Sequence, residues 1–318
     1  MLLGVLAALM VMEGGLRLAL PHVSVDYDHI KAIPSIARSF GDHSRSQVLF
    51  LGNSLTRRGV NLKVVEQSWA NMGFRADCRS VYPDDTTIVD WYYLFERYFP
   101  ANHAPDLVVI GFARTQLSDQ TAVHANRIAA HYGGFSIAAE ALSKDITNVG
   151  DRVDFLLSAN FRLFSERDRL RETILRAVIP KYADTAQALN VSVMKAKQAG
   201  EGRLTYGRLT RFIRMCDERG TVPLFVAMPL NTPYNIDPDL VPAITDHQGM
   251  FLDLRNTQGL TGKDFLDPMH LAPSGAVIYS ERLAPALASL NWTREKNVSF
   301  DHVSARKVSV SAADRLQK

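Results

Sequence analysis

Cysteine is scarce in this sequence: only Cys78 and Cys216 are present, and no C-x-x-C spacing occurs. This excludes the usual cysteine-based zinc and redox motifs. The apolar or helical surroundings of both residues favour buried free thiols, although in an oxidising compartment the two could pair. The chain also lacks zinc-finger and RNP motifs and a sustained basic stripe, and its net charge is only +3. Nucleic acid is therefore not an expected partner.

Long hydrophobic runs are absent apart from one at the N-terminus. Of the 318 residues, 47% are hydrophobic and 22% are charged. This composition argues against disorder and against a polytopic membrane protein. The length leaves room for one large α/β domain or two smaller ones.

The apolar run "MLLGVLAALMVMEGGLRLAL", residues 1–20, barely reaches the ~20 residues that span a membrane, and Glu13 and Arg17 interrupt it. On a helix these two side chains lie one turn apart and can pair. We expect a membrane anchor or signal-anchor helix; a cleaved signal peptide and a buried amphipathic helix are the alternatives. Basic residues follow the run, which favours a cytoplasmic domain, whereas basic residues encoded upstream would reverse that orientation. We expect a periplasmic or otherwise extracytoplasmic domain and leave cytoplasmic placement open.

Short apolar runs alternate with helical patterns over residues 47–292, which predicts a three-layer αβα domain with a five-stranded, mostly parallel sheet. Residues 21–46 are interpreted as a linker, about 120–200 as a helical insertion, and 293–318 as a polar tail. The predicted strands lie in QVLFLGN, FRADCRSV, PDLVVIGFA, TVPLFVAMP and MFLDLR. Sites in such sheets form beyond the carboxyl ends of the strands.

The first predicted strand runs into "LGNSLTRRGV", where Ser54 stands between the strand and the start of a predicted helix. A helix cap is one interpretation of this serine, and a nucleophile at the edge of the sheet is the other. The elbow of α/β-hydrolases is excluded because Thr56 occupies the position of its second glycine. A phosphate-binding loop is excluded because no Gly-Lys-Ser/Thr follows.

The segment "DFLDPMHLAPSGAVIYSERL" places Asp267 and His270 in one short loop that leads into a helix. A serine hydroxyl needs a base within hydrogen-bond reach, and the base needs an acid that holds its tautomer. An Asp-x-x-His loop can supply both. Taken alone, Asp267 could simply cap a turn before Pro268, and His270 could be a surface histidine.

Together the two segments resemble the first and last sequence blocks of the SGNH/GDSL hydrolase family. "LGNSL" at 51–55 is similar to the Gly-Asp-Ser-Leu block, and "DPMHLAPSGA" at 267–276 is similar to the Asp-x-x-His-Leu block. The resemblance covers residues 47–290 and implies a flavodoxin-like sheet, with no metal or organic cofactor. It also implies Ser54 as nucleophile, His270 as base and Asp267 as orienting acid. The backbone N–H of Ser54 would donate to the oxyanion.

The chain departs from the family pattern in each of the first three blocks. Asn53 replaces the usual Asp, a change outside the triad. The second block should lie near "VYPDDTT", where the oxyanion glycine of the family is missing. Asp84, Asp85 or Thr86 would stand in its place.

The third block maps onto "GFARTQLSD", which lacks the asparagine of the family. Arg114, Thr115 or Gln116 would donate instead, and Gln116 is the closest amide substitute. Near the serine, Arg57 and Arg58 are predicted to form a solvated helix turn, with an anionic substrate contact as the alternative.

A second Asp-x-x-His pair, Asp26 and His29, stands in "DYDH" before the serine block. Its surroundings are linker-like and no small-residue helix start follows, so the 267–270 pair is the favoured one. The aromatic run of "DWYYLFERYF" is expected to pack in the core rather than to form a sugar platform. Its members are Trp91, Tyr92, Tyr93 and Phe95.

The resemblance implies serine-dependent hydrolysis of an ester on a small molecule or a glycan, above all of an O-acetyl group on a carbohydrate. Two alternatives stay open. The acyl group could pass to a polysaccharide hydroxyl instead of water, which would make the protein an O-acyltransferase. The fold could also carry a catalytically silent glycan-binding or scaffold protein.

Overall fold

The structure is a computed structural model that describes residues 4, 10–18, 25–41, 45–179, 203–290 and 292. The chain divides into two compact units, one drawn from residues 28–121 and 206–318 and the other from residues 1–27 and 122–205. The predicted polar tail lies outside the described residues. So do the last part of the predicted insertion and much of the N-terminal apolar run.

Five strands form one parallel sheet in the first unit. They are β1 (Ser46–Leu51), β2 (Ala76–Val81), β3 (Leu107–Phe112), β4 (Val222–Ala227) and β5 (Met250–Asp253). Their order is β2-β1-β3-β4-β5, and all neighbouring strands are parallel. The central strands β1, β3 and β4 are almost wholly buried, as their continuous apolar sequences predict. The predicted α/β fold with a five-stranded parallel sheet is confirmed.

Helices flank the sheet and make up the described part of the second unit. In the first half of the chain they are α1 (Val25–Arg38), α2 (Ser54–Gly59), α3 (Leu62–Asn71) and α4 (Ile88–Tyr98). The second unit contains α5 (Ala125–Arg127), α6 (Phe135–Glu140), α7 (Val149–Asn160), α8 (Arg162–Ser165) and α9 (Arg167–Val178). Two π-helical segments, Ile128–Tyr132 and Ala141–Asp145, follow α5 and α6. The last helices are α10 (Gly207–Glu218), α11 (Leu240–Thr245) and α12 (Pro273–Ser289).

Aromatic side chains of α3 and α4 pack in the core of the first unit. Trp91, Tyr93 and Phe95 are fully buried, in agreement with the prediction that this aromatic run serves the core. Trp69 is also buried, and its Nε1 donates to the carbonyl oxygen of Ala284 in α12 at 2.8 Å. The two cysteines are free and buried, as their surroundings predicted.

The strand order places a crevice at the carboxyl edge of the sheet. The chain runs outward from β1 to β2 on one side and from β3 to β5 on the other, so the direction of winding reverses between β1 and β3. Ligands of open parallel sheets bind at such a reversal. The registers align Leu51 with both Val81 and Ile110. The loops that follow β1, β2 and β3 therefore begin at about the same level.

Within the second unit, Glu13 joins the helical residues 10–18 to the start of α8. Its carboxylate accepts hydrogen bonds from the backbone N–H groups of Arg162 at 2.8 Å and Leu163 at 2.9 Å, and from Arg17 Nε at 2.8 Å. Burial raises the pKa of Glu13, but these bonds outweigh it and hold the pKa below its ordinary value. The predicted pairing of Glu13 with Arg17 is confirmed. No helix in the described ranges is both long enough and apolar enough to cross a membrane.

Candidate active site

Ser54 is the first residue of α2, directly beyond the carboxyl end of β1. Asn53 caps this helix: its Oδ1 accepts from the N–H of Leu55 at 2.9 Å, and its Nδ2 donates to the carbonyl oxygen of Thr86 at 2.8 Å. The asparagine is buried, and both ends of its amide are hydrogen-bonded to the backbone. Its role here is to hold the turn that presents Ser54.

Two glycines make room for Thr56 beneath this turn. A Cβ on Gly52 would lie 1.9 Å from Thr56 Oγ1, and a Cβ on Gly111 would lie 2.6 Å from the same atom. No side chain fits at either position without displacing a neighbour. The glycine of "LGNSL" is therefore explained by close approach of the threonine that stands where a hydrolase elbow would carry its second glycine.

His270 and Asp267 lie in a tight hairpin before α12. Phe265 and Leu271 pair across this hairpin, and the N–H of Leu266 donates to the carbonyl oxygen of His270 at 2.8 Å. Oδ1 of Asp267 accepts from the N–H groups of Met269 at 2.7 Å and His270 at 2.9 Å. These bonds leave Oδ2 of the same carboxylate directed at the imidazole of His270.

Ser54, His270 and Asp267 are joined in one hydrogen-bonded chain. His270 Nε2 lies 2.9 Å from Ser54 Oγ, and His270 Nδ1 lies 2.8 Å from Asp267 Oδ2. The side chains of His270 and Asp267 are each 25% exposed, so the group is shielded but still reachable from solvent. With Nδ1 protonated toward the carboxylate, Nε2 is free to accept the hydroxyl proton of the serine.

The carboxylate of Asp267 is kept ionised by its surroundings. Burial raises its pKa, but the hydrogen bonds from the His270 ring and from the backbone N–H groups of Met269 and His270 outweigh that effect. The pKa of Asp267 is therefore held below its ordinary value. An ionised carboxylate at this position stabilises an imidazolium on His270.

The loop after β2 contains a residue in the left-handed conformation that glycine usually adopts. Asp85 has a φ of 56°, and it stands in the segment where the family pattern expects a glycine. The hydroxyl of neighbouring Thr86 is committed within the loop: it lies 2.8 Å from the carbonyl oxygen of Pro83 and accepts from Trp91 Nε1 at 2.9 Å. Of the predicted oxyanion candidates in this loop, Thr86 thus offers no spare side-chain donor.

Asp84 of the same loop pairs with Arg57, which lies one turn after Ser54. Arg57 Nη2 is 2.9 Å from Asp84 Oδ2, with 27% and 34% of the two side chains exposed. Arg58 is exposed, as a solvated turn predicts, whereas Arg57 is half-buried and paired with Asp84. The pair ties α2 to the loop after β2. Sequence alone could not identify it, because the partner of a single arginine depends on which loops the sheet brings together.

The loop after β3 forms a tight turn around Gln116. Oε1 of Gln116 accepts from the N–H of Ala113 at 2.9 Å, which uses the oxygen of the amide and not its Nε2 donors. Arg114 has a φ of 55°, and its Nε is buried without a hydrogen-bond partner among the residues that the structure describes. Thr115 lies between them and is half-buried. All three predicted candidates therefore lie at the carboxyl end of β3.

The alternative base His29 has a different partner. Its Nε2 accepts from the backbone N–H of Tyr82 at 2.9 Å, and its ring stacks on the Tyr82 ring with 4.1 Å between centroids. His29 thus ties α1 to the segment after β2. Within the described part of the chain, no group of three or more His, Cys, Asp or Glu side chains is arranged to hold a metal ion.

Among known proteins, only solved structures show a likeness to this chain, and that likeness is weak. No protein-family model matches the chain, and no curated protein matches it. Among solved structures, an acetylxylan esterase from Geobacillus stearothermophilus is similar with a TM-score of 0.37 and 12% identity, over 79% of this chain and 97% of the esterase. A catalytic mutant of that esterase gives a TM-score of 0.38 at the same identity and coverage. Likeness at this level is too weak to bear on activity.

Proposed function

We propose that this protein is a serine esterase of SGNH/GDSL type that removes O-acetyl groups from a carbohydrate. The observation that carries the proposal is the hydrogen-bonded chain from Ser54 Oγ through the His270 ring to Asp267 Oδ2, with separations of 2.9 and 2.8 Å. A helix-capping serine would need neither contact. The carbohydrate ester as substrate rests on the resemblance of the two sequence blocks.

The reaction begins with attack of Ser54 Oγ on the acyl carbon, while His270 Nε2 takes the hydroxyl proton. Collapse of the tetrahedral intermediate breaks the ester bond, and the imidazolium returns its proton to the departing sugar oxygen. Water then attacks the acyl-enzyme, with His270 again as base. Acetate leaves, and Ser54 regains its proton. Asp267 holds the imidazole tautomer and stabilises the imidazolium throughout.

Stabilisation of the oxyanion is assigned to donors at the same edge of the sheet. The backbone N–H of Ser54 is one, because the first N–H groups of a helix have no acceptor within it. The second is the backbone N–H of Asp85, whose φ of 56° is a left-handed conformation that glycine adopts readily. The third is Nε2 of Gln116, whose Oε1 is anchored on Ala113.

The experiment is hydrolysis of p-nitrophenyl acetate by the full-length chain, by Ser54→Ala and by His270→Ala. We expect each variant to lose about 10⁴-fold or more in kcat/KM. Ser289→Ala and His247→Ala, which replace exposed residues, are matched controls and should keep wild-type turnover. A fluorophosphonate should label the wild type and not Ser54→Ala. Absence of both turnover and labelling in the wild type would overturn the proposal.

We also propose that the N-terminal apolar run attaches the protein to a membrane and that the domain acts outside the cytoplasm. Large apolar side chains of residues 10–18 support attachment: Met10 is 73% exposed, Val11 75% and Leu18 77%. Membrane fractionation followed by a carbonate wash tests the attachment. Release of the full-length chain into the soluble fraction would contradict it.

A further inference from the structure

A small polar cleft lies beside the hairpin that carries His270. Its volume is about 230 Å³, below the ~300–1,000 Å³ of clefts that hold drug-sized ligands. Three segments form it: the loop after β4, which contributes Asn231, the loop after β5, which contributes Asn256, and the segment that leads into the hairpin, which contributes Thr261 and Phe265. All three lie at the carboxyl edge of the sheet, where ligands of such sheets bind.

One wall of the cleft belongs to the same hairpin as the triad base. Phe265 lines the cleft and pairs with Leu271 across the hairpin, while the next residue, Leu266, donates its N–H to the carbonyl oxygen of His270 at 2.8 Å. A ligand in the cleft would therefore contact the hairpin that carries the base. The hairpin alone links the cleft to His270.

Two carboxamides are available to a ligand in this cleft. Asn231 and Asn256 are exposed, and within the described ranges neither side chain makes a hydrogen bond. Oδ1 of Asn231 lies 3.7 Å from the position that a Cβ on Gly262 would take, so its amide faces the opposite wall. Each carboxamide offers one acceptor oxygen and two N–H donors. This combination matches hydroxyl groups, which both donate and accept.

Arg255 is the one cationic side chain among the described residues that line the cleft, and it is already neutralised. Arg255 donates through Nε and Nη2 to the carboxylate of Asp253, at 2.9 and 2.7 Å, and through Nη1 to the carbonyl oxygen of Tyr234 at 2.6 Å. Its guanidinium also lies over the Tyr234 ring, 5.4 Å from the centroid. Because these partners occupy the guanidinium, the cleft favours an uncharged ligand over a carboxylate or phosphate.

Apolar surface completes the lining. Leu260 and Phe265 are half-buried and pack against the core, so each presents part of its side chain to the cleft. A sugar ring combines hydroxyl groups at its rim with C–H faces, and it fits a cleft of this size better than an extended ligand does. We propose that the cleft is a subsite for one uncharged sugar ring of the acylated glycan, held by Asn231 and Asn256; the inference rests on the proposed esterase function.

The test compares two substrates in Asn231→Ala, Asn256→Ala and the double variant. One is p-nitrophenyl acetate, which carries no sugar ring; the other is an acetylated xylo-oligosaccharide. The measured quantity is the ratio of kcat/KM for the oligosaccharide to kcat/KM for p-nitrophenyl acetate. The double variant loses two hydrogen bonds of ordinary strength, so this ratio should fall about tenfold. Asn102→Ala is the matched control, because this exposed asparagine precedes β3 and lies at the opposite edge of the sheet. An unchanged ratio in the double variant would overturn the subsite.

A binding measurement separates failure of the subsite from failure of the proposed function. Ser54→Ala cannot turn substrate over, so calorimetric titration with xylohexaose, mannohexaose or cellohexaose reports on binding alone. At least one should bind about tenfold more weakly when Asn231 and Asn256 are also replaced. Lack of binding to all three, or tighter binding of an oligogalacturonate, would overturn the assignment of an uncharged sugar. If the oligosaccharide binds through the two asparagines but the wild type shows no esterase turnover, the subsite proposal stands and the esterase proposal fails.

Discussion

Ser54 Oγ and His270 Nε2 lie 2.9 Å apart although 216 residues separate them along the chain. β1 carries the serine to the carboxyl edge of the sheet. On the other side, the N–H of Ala272 donates to the carbonyl oxygen of Asp264 at 2.7 Å, which closes the hairpin onto the start of α12. A Cβ on Gly275 would lie 2.3 Å from that same oxygen, which explains the glycine at this position. The contact between Ser54 and His270 therefore depends on the turn after β1 and the hairpin before α12, which meet at the carboxyl edge of the sheet.

The first prediction concerns the tautomer of His270. In Asp267→Asn, the two backbone N–H groups that now bind Oδ1 would hold the amide oxygen, and the NH₂ group would face His270 Nδ1. Nδ1 would then have to accept a hydrogen bond, which places the ring proton on Nε2 and prevents it from accepting the serine proton. We expect kcat for p-nitrophenyl acetate to fall about 10³- to 10⁴-fold. Asp246→Asn, at an exposed carboxylate, is the control, and a loss below tenfold in Asp267→Asn would contradict the assignment.

His29 gives the second prediction. Because its Nε2 accepts the N–H of Tyr82 and its ring stacks on that side chain, it has a structural role in the first unit. His29→Ala should keep kcat/KM within about twofold and lower the free energy of unfolding by about 1 kcal/mol, since one half-buried N–H loses its acceptor. Denaturant unfolding and p-nitrophenyl acetate turnover measure the two effects. A loss of turnover like that of His270→Ala would instead make His29 the base.

The sequence predicted the strands, and it predicted that Ser54, Asp267 and His270 come together, because both predictions depend on local patterns. The buried strands are continuous apolar runs, and Asp267 and His270 share one short loop. The pairing of Arg57 with Asp84 was not predictable, because it joins a helix to a loop that only the sheet brings near. Nor was the left-handed φ of Asp85, since most residues other than glycine avoid this conformation.

The third prediction concerns the left-handed backbone of Asp85. Left-handed backbone costs an ordinary residue ~1–2 kcal/mol, and Asp tolerates it better than β-branched residues do. Asp85→Gly should therefore change the free energy of unfolding by less than about 1 kcal/mol and keep turnover, because the N–H stays in place. Asp85→Val should lose stability by ~1–2 kcal/mol and lower kcat more than KM, as its N–H shifts. Equal behaviour of the two variants in thermal unfolding and kinetics would reject the strained turn.

The fourth prediction concerns the space between Gly52 and Thr56. A methyl group at 52 would stand 1.9 Å from Thr56 Oγ1, so Gly52→Ala must displace either the turn or α2. We expect it to destabilise the fold by ~1–3 kcal/mol and to reduce turnover, because Ser54 lies between the two positions. Adding Thr56→Gly removes the clash and should restore part of both losses, which a double-mutant cycle would detect as a favourable coupling. Strictly additive effects would show that the two side chains do not compete for space.

The fifth prediction is the pH dependence of the stability that Asp267 contributes. Its pKa in the folded protein is below the ordinary 3.8, so the unfolded chain binds the proton more readily. The contribution is therefore fully present above the ordinary value and is lost as the pH falls through the lower folded value. The melting temperature of wild type should exceed that of Asp267→Asn most at about pH 7, and the difference should shrink toward about pH 3. Other carboxylates with lowered pKa, such as Asp253, are present in both proteins and cancel in the comparison. A difference that stays constant or grows on acidification would mean that Asp267 is not held as a carboxylate by these bonds.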